Sequence, residues 1–416
     1  MKAFVILSIV AAAVANAAYS GDIVQYWVDQ SAILVNGTVI GGLQSPPSGW
    51  YEAIVQGAIY LAAIKSSHEP LAVQQLAVSH AAHDTLLWTF HGTRLYATVN
   101  SKLRFILPSI GVDATSASGL KAIEIGRRAA KKVIIARADD GINNFVDYIP
   151  KPAAPGVYQA TPGGQPIPDT PQAGFIRLFG GVGDVTRFRA PPPPAPGSAE
   201  FEAALDFVKT QGLRNSTVRR AYDTETAYFW RESSPITWNR LAHAVVGNSL
   251  ATDVKASAKF YAQLNYALAN AAIASWDSKY FYNAWRPVTA IRYPEIYLKS
   301  GKSVTDPTWD PLLLPTPNHQ DYLSTHATFG GAAGAVIRAW NGGDQVNVTL
   351  SSNVTIENVG VVTRRITSLA AAVKENGESR VFGGIHFQYA SDQGGKTGDQ
   401  VGRETLARFE SRWDEF

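Results

Sequence analysis

Apolar residues along this chain recur mostly at helical spacings. Leu120, Ile123, Ala130 and Ile134 follow one another at intervals of three, seven and four, with Arg128 and Lys132 on the other side. That pattern predicts an amphipathic helix whose core face is those four residues. Similar runs predict helices over Trp50 to Ile64 and Pro70 to Phe90, and the stretch from Asp22 to about Gly141 is largely helical in pattern. Further helices are predicted over Ala199 to Thr210, Val218 to Arg231, Trp238 to Asp253, Ala256 to Tyr282, Ser324 to Trp340, Val359 to Asn376 and Thr397 to Phe409. Strand-like alternation is scarce, and no internal repeat stands out.

The helical pattern stops between Tyr148 and Gly197, where proline and glycine accumulate and Pro191-Pro192-Pro193-Pro194-Ala195-Pro196-Gly197 closes the stretch. Such a segment cannot be helical and is expected to run extended over the surface as a crossover. Ser198, just after it, has the character of a helix N-cap. The economical architecture is all-α: two packed helical bundles, 18–147 and 198–416, joined by the crossover 148–197. Residues 1–17 read as a signal peptide, because Lys2 precedes an apolar run that ends in the small-x-small pattern of Ala15-Asn16-Ala17. The expected destination is therefore extracellular.

Composition narrows the chemistry. With 46% apolar and 17% charged residues the chain can bury a large core, and a net charge of +3 is too weak and dispersed to argue for nucleic acid or an anionic membrane. No later apolar run is long enough for a membrane span. Asn36, Asn215, Asn347 and Asn353 head Asn-x-Ser/Thr sequons, consistent with a glycoprotein. There is no cysteine, and Met1 is the only methionine. A mature chain without thiol or thioether lacks the groups that peroxide and hypohalous acids attack first, although drift in composition would give the same result.

Three segments of the second half concentrate the candidate chemistry. In Lys279 to Pro287, two cations seven residues apart share a helix face, and Pro287 turns Arg286 out at the helix end. In His319 to Gly334, Ser324, Thr325 and His326 sit where a loop enters a helix, a place that favours an anion, with His326 as general acid or base. The plain alternative is an N-cap serine and a satisfied first-turn histidine. In Ser379 to Phe387, Gly383-Gly384 lets Arg380 and His386 bend towards one point. Arg380 would clamp oxyanion oxygens, and His386 would offer a ring nitrogen as nucleophile or ligand.

In this order the three segments resemble the pattern KxxxxxxRP, PSGH (here Leu323-Ser324-Thr325-His326) and SRxxxxxH. It is shared by the vanadium-dependent haloperoxidases and the type 2 phosphatidic acid phosphatase superfamily. The helices around HAAHDTLLWTF, the proline-rich crossover and the TETAYFW segment look like the secreted haloperoxidase branch. The resemblance implies vanadate as cofactor, neutralised by Lys279, Arg286 and Arg380, with Ser324 and the Thr325 N–H on its oxygens. It implies His386 as the axial metal ligand, with His326 and Lys279 acting on hydrogen peroxide. His319, seven before His326, resembles a second active-site histidine of bromoperoxidases and points to bromide and iodide. The implied partners are hydrogen peroxide, halide and a small organic acceptor.

Departures from the pattern keep two other functions open. Thr325 stands where the family has glycine, which would be strained if φ were positive there. Leu323 replaces the proline before Ser324. The phosphatase pattern continues as HxxxD, whereas Ala390 sits four after His386, and Asp223 or Glu225 is a candidate partner for Arg380. The alternatives are a secreted acid phosphatase with a phosphohistidine intermediate and a degenerate oxyanion-binding protein. A rival metal cluster of His80, His83, Asp84 and His91 is better read as packing, because no second ligand motif accompanies it.

Overall fold

The computed structural model describes residues 19–36, 45–293, 303, 305–352 and 359–416. The expected signal peptide and the Asn353 sequon lie outside them. The first half places α1 (Ile23–Asn36), α2 (Ser45–Ser66), α3 (Leu71–Thr89), α4 (Tyr96–Ile106) and α5 (Ala117–Arg137) in sequence. The second half carries α6 (Ala199–Gln211), α7 (Ala221–Phe229), α8 (Ser234–Val245), α9 (Val254–Tyr282), α10 (Pro287–Arg292) and α11 (Thr325–Asn341). A hairpin of β1 (Gln345–Ser351) and β2 (Thr363–Ser368) follows, then α12 (Leu369–Phe382) and α13 (Gln388–Arg412).

Helix α9 is the axis on which the rest is arranged. Its 29 residues are buried along almost the whole length, and it packs against α2 of the first half and against α11 and α13 of the second. A helix apolar on every side needs neighbours on every side, which is why the alanine-rich stretch from Ala256 to Tyr282 lies at the centre. Asp253 caps its start by accepting from the Ala256 N–H at 2.9 Å, and Asn283, with φ of 51°, stops it.

Three expectations about elements are corrected. The core face of α5 is a stripe of small residues, Ala122, Gly126, Ala129, Ala130 and Val133, while Leu120 is 58% exposed. Close approach decides this: a Cβ on Gly126 would collide with the Ala77 carbonyl of α3, so the small residues face inward. The expected helix from Val359 is a loop and then the strand Thr363–Ser368, and the Ser368 hydroxyl caps α12 by accepting from the Ala371 N–H at 3.1 Å. Thr363, Ile366 and Thr367 are β-branched and suit a pleated edge better than a helix.

The crossover, third, is embedded over much of 158–190, whereas 191–197 runs at the surface as expected. It is free of α-helix as expected, but Tyr158, Phe179, Val182 and Phe188 are buried. Asn270 of α9 pairs with both the N–H and the carbonyl of Phe179, at 2.7 and 3.1 Å, and Arg189 makes a two-pronged pair with Asp277. Backbone polar groups that enter a core need partners, and α9 supplies them. The segment is thereby held beside the entrance of the site.

Candidate active site

A cavity of about 570 Å³ opens among the crossover, the loop 313–319 and the starts and ends of α11 and α12. His319, Thr325, His326, Arg380 and His386 line it, and Arg231 and Asp169 stand nearer its mouth. Each is delivered by a local feature. Ser324 is the N-cap of α11, so Thr325 and His326 occupy the first turn, where N–H groups have no intrahelical partner. Arg380 lies in the last turn of α12, and Gly383 and Gly384 end that helix. Gly384 has φ of +75°, the left-handed turn that sends the chain back with His386 towards Arg380.

Lys279, Arg286 and Ser324 stand one layer behind this lining. All three are fully buried. Arg286 is not on the helix of Lys279: α9 ends at Tyr282, and Arg286 is the extended residue before Pro287. The loop break, and not a shared helical face, brings the two cations together. Lys279 Nζ donates to the carbonyls of Gln320 at 2.8 Å, Asp321 at 3.2 Å and Leu323. Burial and the neighbouring Arg286 push its pKa well down, yet three carbonyl acceptors call for three N–H donors and so favour the ammonium form.

Arg286 reaches both histidines that flank the cavity. Its Nε donates to the His319 carbonyl at 2.7 Å, Nη1 to the Ile385 carbonyl at 2.6 Å and to His386 Nε2 at 3.0 Å, and Nη2 to His319 Nδ1 at 3.0 Å. Burial lowers Arg286 to about 10 and Arg380 to about 9, which leaves both cationic at neutral pH. Around the cavity, Ser324 Oγ, His326 Nε2 and Arg380 Nε are buried without a protein partner.

The hydrogen bonds set the histidine tautomers. His386 Nδ1 meets Asp321 Oδ1 at 2.8 Å, which puts the proton on Nδ1 and the lone pair on Nε2. His326 bonds the Glu232 backbone and leaves Nε2 free. His319 rests on Trp276, ring centroids 4.7 Å apart. Burial is the largest cause holding all three imidazoles well below their ordinary pKa, followed by Arg286 for His319 and His386 and by Arg380 for His326. Burial pushes the Asp321 carboxyl up to about 7 against the pull of Arg286 and Lys279.

The structure thus brings all eight candidate residues into one neighbourhood. Thr325 is free of the feared strain: among the described residues only Thr170 and Asn283 are non-glycine residues with positive φ. Its hydroxyl pairs with Ser275 Oγ at 2.7 Å. The suggested partners of Arg380 are corrected. Asp223 is taken by Arg220 at 2.6 Å and Glu225 by Arg364 at 3.0 Å, and Arg380 instead donates to the Trp230 carbonyl at 3.4 Å. Asp321 was missed, although a lone carboxylate between His319 and Ser324 in an otherwise cationic set was its signal. His80, His83 and Asp84 do gather their ligand atoms within 4.8 Å. His83, however, is paired with Asp84 at 2.8 Å and Asn100 at 3.2 Å, and His91 is not part of the group. Among the described residues no helix is long and apolar enough to cross a membrane.

Comparison with known proteins agrees with this geometry. Residues 259–415, which hold the three segments, match the family model described as the vanadium chloroperoxidase second helical-bundle domain. The vanadium chloroperoxidase of Curvularia inaequalis is 24% identical over a match that takes in 46% of this chain and 40% of that relative's length. A bacterial vanadium-dependent iodoperoxidase superposes with a TM-score of 0.76 at 20% identity, covering 92% of this chain and 96% of the other. A holo-type bacterial vanadium-dependent chloroperoxidase gives 0.71 at 18% identity, covering 95% and 99%. The whole chain therefore carries the mostly helical fold of these bacterial vanadium haloperoxidases, and its second bundle is similar to the second helical-bundle domain of the vanadium chloroperoxidases.

Proposed function

We propose that this chain is a secreted vanadate-dependent haloperoxidase that oxidises bromide or iodide with hydrogen peroxide and so halogenates small organic acceptors. The observation that carries the proposal is the set of partnerless buried atoms, Ser324 Oγ, His326 Nε2 and Arg380 Nε, beside the guanidinium of Arg286. A buried polar atom left unpaired costs about 1–3 kcal/mol, and a tetrahedral oxyanion is the ligand that would pair with the serine and arginine donors together. The residues present fit vanadate: Arg380, Arg286 and Ser324 would hold its oxygens with the Thr325 N–H, Lys279 would add charge from behind, and His386 Nε2 would be the ligand nitrogen.

Bound there, vanadate would supply a Lewis acid that activates hydrogen peroxide towards halide without changing oxidation state. His326 Nε2 takes the peroxide proton, since its lone pair is free and the ring is kept neutral. His319, neutral and resting on Trp276 at the cavity wall, supports the preference for bromide and iodide. Leu313, Leu314, Pro315 and Ile385 offer an apolar wall to an organic acceptor. Secretion is supported by the N-terminal leader pattern, and glycosylation by the exposure of Asn215 and Asn347.

One observation favours a second reading. The Asp321–His386 pair gives His386 the carboxylate partner that a nucleophilic histidine needs, from a position other than HxxxD. An acid phosphatase therefore remains the rival. One purified sample assayed twice separates them: bromination of an activated diketone with peroxide and vanadate, and hydrolysis of an aryl phosphate. Vanadate activating the first and inhibiting any second supports the proposal; phosphatase turnover without halogenation overturns it.

A further inference from the structure

We infer that Asp321 is a positioning residue that selects vanadate over phosphate, by fixing His386 in the tautomer whose Nε2 lone pair faces the anion. The inference rests on the reading of the cavity as an oxyanion site. It starts from a carboxylate in an unexpected place: Asp321 is fully buried, five residues before His326, and its Oδ1 lies 2.8 Å from His386 Nδ1. In its ionised form, favoured by Arg286 and Lys279, the carboxylate can only accept, so the shared proton sits on Nδ1 and Nε2 is left with its lone pair. Arg286 Nη1, an obligate donor 3.0 Å from Nε2, is consistent with that tautomer and no other, and it would have to release the lone pair for Nε2 to meet the anion.

The backbone that carries the carboxylate is itself held in two ways. The Asp321 N–H donates to the Ala284 carbonyl at 3.0 Å, directly after α9. Its carbonyl, with those of Gln320 and Leu323, accepts from Lys279. Lys279 thus fastens the segment that carries Asp321, and the chain of contacts runs from α9 through 320–323 to the ring of His386. The Phe387 N–H also acts on the carboxylate, so both of its contacts are to the segment that carries His386. A buried carboxylate beside Arg286 and Lys279 also opposes anion binding in general, because it cancels part of their charge. A group that weakens the site for any oxyanion must return something specific. Vanadium accepts a ring nitrogen as a fifth ligand, whereas inorganic phosphate at rest uses only charge and hydrogen bonds, so between these two free anions a fixed Nε2 lone pair favours vanadate.

The two effects have opposite signs, which makes the test sharp. In Asp321→Leu, vanadate affinity measured by equilibrium dialysis is expected to fall about tenfold or more, the usual loss when a ligand histidine loses its orienting partner. Inorganic phosphate is expected to bind as well as in the wild type or more tightly. With 15N-histidine labelling of the vanadate-free protein, and His386→Gln to assign the signal, His386 changes from Nδ1–H to a mixture containing Nε2–H. Asp321→Glu restores part of the vanadate affinity. If Asp321→Leu does not fold, as judged by circular dichroism, Asp321→Asn carries the same three readouts with a smaller change. An unchanged His386 tautomer, or equal weakening of both anions, overturns the inference. Wild-type protein that binds neither anion overturns the oxyanion reading beneath it, independently of the tautomer result.

Discussion

In the proposed reaction His326 would carry the proton chemistry, and its environment gives that role a pH signature. Burial and Arg380 keep its pKa well below the ordinary histidine value, so Nε2 remains a base into mildly acidic solution. Bromination should therefore persist below pH 6, and His326→Ala should lower kcat about 100- to 10,000-fold with little change in vanadate affinity. Loss of binding in place of turnover would move His326 from proton transfer to anion holding. Ser324→Ala tests the anion contact itself: oxyanion affinity should fall about tenfold, while the midpoint of thermal unfolding stays level or rises because an unpaired buried hydroxyl is gone. Away from the site, Glu52 is buried with Oε2 on Ser31 Oγ and Oε1 unpaired, and burial pushes its carboxyl up to about 8. An unfolded glutamate releases its proton near about 4.3. The folded state thus binds more protons between those values, and this contribution to stability is lost as pH rises through the interval. Glu52→Gln should flatten that slope in thermal unfolding followed across pH.

Element-scale predictions follow from two glycines. At Gly384 φ is +75°, and an added Cβ would also meet the Gly212 carbonyl and Pro311. Gly384→Ala should cost about 1–3 kcal/mol of stability through strain and shift His386, seen as weaker oxyanion binding. Gly398 on α13 fits under the Thr328 carbonyl of α11, where an added Cβ has no room. Gly398→Ala, although it improves helix propensity by about 1 kcal/mol, should lower the unfolding midpoint because these two helices must move apart. A rise in the midpoint would mean that the seam is slack. The same contrast explains what was legible in advance. Long helices such as α9 and α11 follow from their apolar pattern and caps, and the three segments announce the site through residue types at fixed spacing. The inward face of α5 was not legible, because close packing of Gly126 on α3 overrides hydrophobicity. Nor was Asp321: its pairing depends on the break after Tyr282 and the return of the chain at Gly384, two turns distant in sequence.

At the scale of the whole molecule, the sulfur-free composition gives the reading its most direct chemical test. Beyond Met1 the chain has neither methionine nor cysteine, so a diffusible hypohalous oxidant would find no soft target in it. Leu314 lines the cavity and is 38% exposed, whereas Phe105 on α4 is 74% exposed and does not line it. Methionine is close in size to both and is converted to its sulfoxide by hypohalous acid, the halide being returned. Leu314→Met should therefore gain one oxygen, read by mass spectrometry, during turnover with vanadate, peroxide and bromide. Phe105→Met should lag behind it. Bromide makes the control: with peroxide alone both variants should oxidise slowly and at similar rates, since the cavity then concentrates no oxidant. Equal oxidation of the two sites in the presence of bromide would mean that the oxidant equilibrates with bulk solution before it reacts. No bromide-dependent oxidation at Leu314→Met, in a sample that still brominates the diketone, would mean that the reactive halogen leaves by another path than the mouth at Leu314.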